Sequence, residues 1–180
     1  IYNLNLFLNL DFCFSAIIEN LTKIINGDRF FLWIIENEKL ILKKQKGILE
    51  NNNNEICEKW IIEKKMPLIV ENVTNDYRFT KEKIVDVNSL ISIPIIVNKE
   101  IFGILRIDSQ KINAFSYDDL RLLVILGNLF GVMIENIFLY QKTQILATTD
   151  ELTKLYLYSY FYERLDYDIK RAQKNNSILT

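Results

Sequence analysis

The 180-residue chain contains no histidine, and this absence excludes several kinds of site. Histidine is the commonest general base, a frequent metal ligand and the usual proximal ligand of haem. Without it, neither a Ser-His-Asp nor a Cys-His catalytic arrangement can be assembled. The sequence therefore predicts no catalytic residue and no metal site, and it points to no particular cofactor.

Cysteine, proline and glycine are also scarce. The two cysteines, Cys13 and Cys57, are far apart and form no C-x-x-C pair, so we interpret both as reduced, largely buried thiols of a cytoplasmic protein. Two prolines and five glycines argue against long disordered linkers. The formal charge is −1 and no basic block occurs, which argues against nucleic-acid binding.

Apolar residues are abundant, at 49% of the chain, which is enough for a globular core. The length suggests one domain of ordinary size and a fragment of another. Residue 1 is not methionine, and residues 177–180 resemble the start of a strand, so we interpret the chain as part of a longer protein. No basic region precedes the apolar N-terminal stretch, and no signal peptide is predicted.

Hydrophobic periodicity predicts an α+β order of elements. The predicted strands are 29–36, 39–46, 68–70, 90–97 and 101–108. The predicted helices are 5–26, one around 56–61, a possible turn at 80–85 and a long helix that Ser116 caps. Asn37-Glu38 predicts a tight turn between the first two strands. Pro94 predicts an edge, a bulge or an interruption of the hydrogen-bond ladder in the fourth strand.

The long helix after Ser116 is apolar on nearly all sides. Its densest run, 122–134, is too short to span a bilayer, so we predict no membrane contact from this segment. We expect one side to cover the sheet, through Leu122, Leu126, Leu129 and Met133. The other side has the 3.5-residue spacing of a helix–helix seam. The predicted seam residues are Leu120, Leu123, Gly127, Phe130, Ile134 and Ile137. They predict a homodimer; a core helix with one unusually apolar side is the alternative.

The order of elements and three local segments resemble the GAF domain family. The segments are 67–79 (PLIVENVTNDYRF), 89–96 (SLISIPII) and 101–109 (IFGILRIDS), the last followed by FSYDD at 115–119. The resemblance implies a small-molecule-sensing domain over residues 1–143. It further implies a mostly antiparallel sheet, with the first and last helices packed on one face and a ligand side on the other.

A second segment, 149–155 (TDELTKL) with Tyr160-Phe161, resembles the N-terminal signature of GGDEF domains, the diguanylate cyclase family. The resemblance implies that residues 144–180 are a linker and the start of such a domain, with its first helix at 158–175 and its first strand from Ile178. The family's catalytic motif lies further downstream, so we predict that this chain is not itself an enzyme. Residues 157–159 and Lys154 depart from the family pattern, which leaves a catalytically inactive receptor as an alternative.

We expect a ligand on the sheet face away from the first and last helices. Alternation along the last strand predicts that Phe102, Arg106 and Asp108 share this face. A buried arginine needs an anionic partner, which is either a ligand or an internal carboxylate such as Asp108 or Asp86. The candidate ligand-binding residues are Trp60, Tyr77, Arg78, Phe79, Ser89, Phe102, Arg106 and Asp108.

Together these features predict a regulatory sensor and dimerisation module of a GAF–GGDEF signalling protein that controls cyclic di-GMP synthesis. Two alternatives remain: a structural dimerisation module without a ligand, and the GAF domain of an inactive GGDEF receptor.

Overall fold

The computed structural model describes residues 2–47, 56–79, 86–150, 153 and 155–175. The helices are α1 (Tyr2–Ile24), α2 (Ile56–Lys64), α3 (Tyr117–Thr148) and α4 (Tyr158–Asn175). The strands are β1 (Arg29–Glu36), β2 (Lys39–Lys46), β3 (Leu68–Val70), β4 (Ser89–Val97) and β5 (Glu100–Ser109). The turn predicted at 80–85 and the strand predicted from Ile178 lie outside the described residues. The chain divides into two compact units, Ile1–Glu135 and Asn136–Thr180, which are described separately.

The first unit contains a five-stranded antiparallel sheet in the order β2-β1-β5-β4-β3. Two-residue turns close both hairpins. Asn37 and Glu38 have φ of 51° and 62°, and Asn98 and Lys99 have φ of 51° and 67°. Positive φ at both central positions is the mark of a type I′ turn, whose twist matches that of the strands. The predicted α+β class and the tight turn at Asn37-Glu38 are confirmed.

Strand β4 has an open edge near its middle. The pairing with β3 runs only from Leu90 to Ser92, so β3 ends before it reaches Pro94. An open edge is where a residue without an amide N–H is tolerated. The edge predicted from Pro94 is therefore confirmed.

The sheet is covered on both faces. Helix α2 lies on one face, where Cys57 and Ile61 share a buried cluster with Leu90 and Ile104 of the sheet. Helices α1 and α3 cover the other face, where Phe14 of α1 has its ring 6.4 Å from that of Phe102. The first and last helices of this unit thus lie on one face, as predicted.

Two glycines bring α3 close to the sheet. A Cβ atom on Gly131 would lie 2.2 Å from the main-chain oxygen of Ile96, and one on Gly127 would lie 2.2 Å from Cδ1 of Ile93. Leu123, on the same side of the helix, is fully buried. Only glycine permits this separation between helix and strand.

The predicted dimer seam on α3 is therefore contradicted at three of its six residues, whereas Leu120, Phe130 and Ile137 are half-buried. Leu123, Gly127 and Ile134 are buried within the folded chain and cannot lie between two copies of it. Leu129, which we expected to cover the sheet, is 59% exposed. Because the helix approaches the sheet closely at its glycines, the side of α3 that carries Gly127 and Gly131 faces the sheet. The size of the apolar residues suggests another side. By length and apolar composition alone, α3 would also suffice to cross a bilayer.

The second unit contains a compact turn followed by α4. Asp150 Oδ1 accepts hydrogen bonds from the amide and the hydroxyl of Thr153, both at 2.8 Å. The amide of Leu157 donates to the carbonyl oxygen of Thr148 at 2.8 Å, which closes the turn. Helix α4 then begins at Tyr158, as predicted.

Candidate functional site

A buried charge cluster lies between α2 and the sheet. Arg106 of β5 is 3% exposed, and its Nη1 lies 2.6 Å from Oε1 of Glu58 on α2. Its Nε lies 2.9 Å from Oδ1 of Asp108, and its Nη2 donates to Oδ2 of Asp108 at 3.1 Å. Asp108 belongs to this cluster because it is two residues further along the same strand and so shares a face with Arg106. The guanidinium is thus held between two buried carboxyl groups.

The Arg106 guanidinium packs against two aromatic rings of β1. Phe31 and Trp33 of β1 point to the same face because they alternate along the strand, and their rings stack with centroids 5.1 Å apart. The guanidinium carbon of Arg106 lies 4.8 Å from the centroid of Phe31 and 5.0 Å from that of Trp33. Cation–π attraction is strongest where water is excluded, so these rings add to the stability of the buried charge.

A second arginine completes the cluster. Arg29 at the start of β1 has its Nε 3.8 Å from Oδ2 of Asp108, and its Nη2 donates to the main-chain oxygen of Asp86 at 2.6 Å. Two cations therefore face two carboxyl groups. The internal pairing that we expected between Arg106 and Asp108 is confirmed. Asp86, the other carboxylate considered, instead accepts a hydrogen bond from Arg29 through its main-chain oxygen.

Burial sets the protonation of the two carboxyl groups. It raises the pKa of Glu58 to about 7, although the nearby Arg106 opposes the shift. Burial likewise raises the pKa of Asp108, again against the attraction of Arg106 and Arg29. Among the described residues, Glu58 Oε2 has no hydrogen-bond partner, and an anionic oxygen buried without one is costly. Glu58 therefore titrates near neutral pH, inside the core.

Glu58 was missed by sequence reasoning. It lies 48 residues from Arg106, so no local pattern connects the two. The helical periodicity of α2 could have indicated its burial, since Glu58 lies between Cys57 and Ile61 on the inward side of the helix. A carboxylate at that position needs a cation, and Arg106 was the buried cation without an assigned partner.

Three predicted ligand-binding residues gather around α2 and the loop after β3. Arg78 forms an ion pair with Asp76 and donates to the main-chain oxygen of Ile69 at 3.0 Å. Its guanidinium carbon lies 5.6 Å from the ring centroids of both Trp60 and Phe79. Phe79 is buried, and Trp60 packs against the same core cluster. The hydrogen bonds from Arg78 lower the pKa of Asp76, although burial opposes this shift.

Tyr77 and Ser89 are placed differently. Tyr77 is 85% exposed. Ser89 is fully buried, and its hydroxyl donates to the carbonyl oxygen of Lys111 at 2.6 Å and accepts from the amide of Ala114 at 3.3 Å. This hydroxyl therefore holds the loop between β5 and α3.

The predicted position of Phe102 on the face of Arg106 is wrong. The register between β4 and β5 pairs Ile95 with Gly103 but Ile96 with Ile101, so Phe102 is the extra residue of a β-bulge. A bulge reverses the alternation of the residues beyond it. Ile101 therefore packs against the α2 side of the core, and Phe102 contacts Phe14 of α1 on the opposite face.

The thiols offer little nucleophilic character. Cys57 is fully buried, and burial raises the pKa of its thiol far above the usual range. Burial also raises the pKa of Cys13 on α1. Within the part of the chain that the structure describes, no group of three or more Cys, Asp or Glu residues is arranged to hold a metal ion. The described site is thus a buried cluster of paired charged side chains.

The sheet order, the helix pair on one face and the buried site under α2 define an α+β domain with an antiparallel sheet covered on both faces. The family model described as "GAF domain" matches residues 9–134, and the chain belongs to this family. GAF domains are typically regulatory sensors.

Solved structures with this fold include both enzymes and sensors. A type II free methionine-R-sulfoxide reductase from Thermoplasma acidophilum superposes with a TM-score of 0.64 at 20% identity, over 73% of this chain and 96% of that one. The GAF domain of a two-component sensor histidine kinase from Bacillus halodurans superposes with a TM-score of 0.57 at 23% identity, over 73% and 97%. At these identities the likeness extends to the fold alone.

A curated relative by sequence is the protein YtrP of Bacillus subtilis, named as uncharacterized. It is 31% identical over 91 residues, which are 51% of this chain and 16% of YtrP. The chain thus matches only about a sixth of that protein's length.

Proposed function

We propose that this chain is the regulatory module of a GAF–GGDEF signalling protein and that it controls cyclic di-GMP synthesis as a homodimer in the cytoplasm. The observation that carries the proposal is the segment after α3. It has the sequence TDELTKL at 149–155 and is followed by α4 (Tyr158–Asn175). The Asp150–Thr153 hydrogen bonds support it, because they give these two signature residues a defined role in the turn.

Helix α3 is the element that would carry the signal. Its first half packs on β4 through Gly127 and Gly131, and its end at Thr148 leads directly into the turn that precedes α4. A change in the packing of β4 would therefore displace a helix that is continuous with the start of the output segment. Cyclases that join two GTP molecules need two facing domains, so a dimeric helical connection is a natural control element.

The first experiment tests the output. The full-length protein, expressed from its gene, is expected to form cyclic di-GMP from GTP and Mg²⁺, whereas the purified 180-residue chain is expected to form none. A full-length protein with a different output domain would overturn the proposal. A GGDEF domain that binds but does not make the dinucleotide would favour the inactive-receptor alternative.

We propose a regulatory role over an enzymatic one for this domain, although some proteins with the same fold are enzymes. Reduction of a sulfoxide by cysteine needs an accessible thiolate, and the pKa of both thiols here is raised by burial. We expect no consumption of free methionine-R-sulfoxide by the chain in the presence of a dithiol reductant. Turnover that is lost in Cys13→Ser would overturn this view.

A second candidate function is a structural dimerisation module without a ligand. The observation that favours it is Arg106, which is engaged by Glu58 and Asp108 and stacked on Phe31 and Trp33. A cation held in this way has little capacity left for a ligand anion. Binding of a small anionic or polar ligand near Arg106 is therefore the property in which the two candidates differ.

A thermal-shift screen of nucleotides and metabolites separates the two candidates. A sensor gives a hit that raises the melting temperature and is weakened by Trp60→Ala, since Trp60 is half-buried and packs against the apolar core beneath α2. Lys43→Ala, on β2, is the matched control and should leave the hit unchanged. A screen without any hit would support the structural module.

A further inference from the structure

Helix α2 is attached to the sheet by few fully buried side chains. It has nine residues, and the side chains that it buries are those of Cys57, Glu58 and Ile61. An isolated helix shorter than about 12 residues is not stable in water, so α2 depends on these contacts. Because one of the three side chains ends in a carboxyl group, the attachment of α2 depends on whether that group is charged.

Glu58 has less compensation for a negative charge than Asp108, the other carboxyl group of the cluster. Asp108 forms ion pairs with both Arg106 and Arg29. Glu58 pairs with Arg106 through Oε1, and among the described residues its Oε2 has no hydrogen-bond partner. Burying a carboxylate with one oxygen unpaired costs more than burying the neutral acid. Glu58 is therefore the member of the cluster best placed to hold a proton.

The groups around Glu58 come from the sheet, from α2 itself and from the loop after β3. They are Arg106 and Asp108 on β5, Arg29 on β1, Cys57 on α2 and Arg78 in the loop. Burial has the largest effect among all of these influences and raises the pKa of Glu58 to about 7, and the attraction of Arg106 opposes it. The proton is thus held in an enclosed site, with a cation on one side of the carboxyl group.

We propose that this domain senses protons: Glu58 binds a hydrogen ion while α2 lies on the sheet and releases it when α2 detaches at higher pH. The proposal names a signal for the regulatory role proposed above and in that respect rests on it. The proton site and the movement of α2 are properties of this chain alone, and they need neither a GGDEF domain nor a second copy.

The direction of the response follows from proton linkage. While α2 is attached, Glu58 keeps its proton up to about pH 7, and once α2 is detached the carboxyl group lies in water with its ordinary pKa of 4.5. Between these values the detached state binds fewer protons, so a rise in pH favours it. The equilibrium constant for detachment should therefore increase about tenfold between pH 6 and pH 8 and approach a plateau above pH 7.

Strand β4 connects this movement with α3. On one face of the strand, Leu90 shares the buried cluster with Cys57 of α2. On the other face, a Cβ atom on Gly127 of α3 would lie 2.2 Å from Cδ1 of Ile93. Loss of α2 from the first face therefore changes the packing of the strand on which α3 rests.

The thiol of Cys57 reports the detachment of α2. It is fully buried beside Glu58, and in a Cys13→Ser background it is the native thiol that remains. The rate of its reaction with a maleimide is divided by the rate for the urea-unfolded chain at the same pH, which removes the ordinary pH dependence of thiol reactivity. We expect this relative rate to rise about tenfold from pH 6 to pH 8.

Two variants assign the response to one carboxyl group. Glu58→Gln keeps an acceptor for Arg106 but cannot release a proton, so its relative rate should change far less over the same range. Glu63→Gln, on the exposed side of the same helix, should follow the wild-type profile. A rise that is equally large in Glu58→Gln would overturn the proposal, because another group would then bind the proton.

Urea distinguishes detachment of α2 from unfolding of the whole domain. Release of a nine-residue helix exposes little surface, so low concentrations of urea should change the relative rate of Cys57 only slightly. A rate with the full urea dependence of global unfolding would overturn the movement of α2.

Infrared spectroscopy of the wild-type chain measures the proton directly. The C=O stretching band of a protonated carboxyl group should lose a component with a midpoint near pH 7, and this component should be absent from Glu58→Gln. A wild-type spectrum without it would overturn the proton site. Neither assay uses a nucleotide or an output domain, so their failure is distinct from failure of the proposed function.

Discussion

Replacing Glu58 by glutamine should remove the part that Glu58 contributes to the pH dependence of stability. The pKa of Glu58 is raised from 4.5 to about 7, with burial as the main cause. Between these values the folded chain binds the proton and the unfolded chain does not. The free energy of unfolding therefore falls as the pH rises through this window, and the loss is complete above about pH 7.

The magnitude follows from the shift. Each unit of pKa difference corresponds to about 1.4 kcal/mol, so Glu58 contributes a loss of about 2 to 3 kcal/mol between pH 5 and pH 8. Asp108 acts in the same direction, since its pKa is also raised. Asp108 remains in the Glu58→Gln variant, so the difference between the two pH profiles isolates Glu58. The glutamine side-chain oxygen still accepts a hydrogen bond from Arg106.

The assay is urea unfolding at a series of pH values from 5 to 8. We expect a steep profile for the wild-type chain and one flatter by about 2 to 3 kcal/mol for Glu58→Gln. Glu63→Gln is the matched control, because Glu63 lies on the same helix with a side chain that is 70% exposed. Parallel profiles for wild type and Glu58→Gln would refute the reasoning, since they would mean that Glu58 is ionised throughout this range in the folded chain.

Two further substitutions test the packing of α3 on the sheet and the cap at its N-terminus. Gly131→Ala puts a Cβ atom 2.2 Å from the main-chain oxygen of Ile96 and should cost about 1 to 3 kcal/mol in urea unfolding, whereas the exposed Asn128→Ala should gain a few tenths. A neutral Gly131→Ala would contradict the close packing. Ser116→Ala removes the hydroxyl that accepts from the amide of Asp119 at 3.2 Å and should cost about 1 kcal/mol, as helix caps do. An unchanged midpoint would mean that this cap contributes nothing.

Elements specified by local sequence could be predicted. The strands Arg29–Glu36, Lys39–Lys46 and Leu68–Val70 have the predicted bounds, because apolar runs and turn residues define them locally. Helix α4 begins at Tyr158, the residue that the resemblance to GGDEF domains implied.

Features that depend on distant contacts could not be predicted. The bulge at Phe102 arises from the register between two strands, and the neighbouring sequence does not indicate that one strand has an additional residue. The side of α3 that meets the sheet depends on how closely Gly131 approaches Ile96, which apolar periodicity does not reveal. The pairing of Glu58 with Arg106 joins two elements that are far apart in the chain.

The buried charge cluster also limits which substitutions this domain can tolerate during evolution. Loss of Glu58 alone leaves Arg106 with one carboxyl group fewer. Loss of Arg106 alone leaves two buried carboxyl groups, of which Asp108 keeps Arg29 as an ion-pair partner. Breaking a buried ion pair on one side costs about 3 to 5 kcal/mol, whereas replacing both members by apolar residues costs far less. In natural variants of this chain, the residues at positions 58 and 106 should therefore be exchanged together.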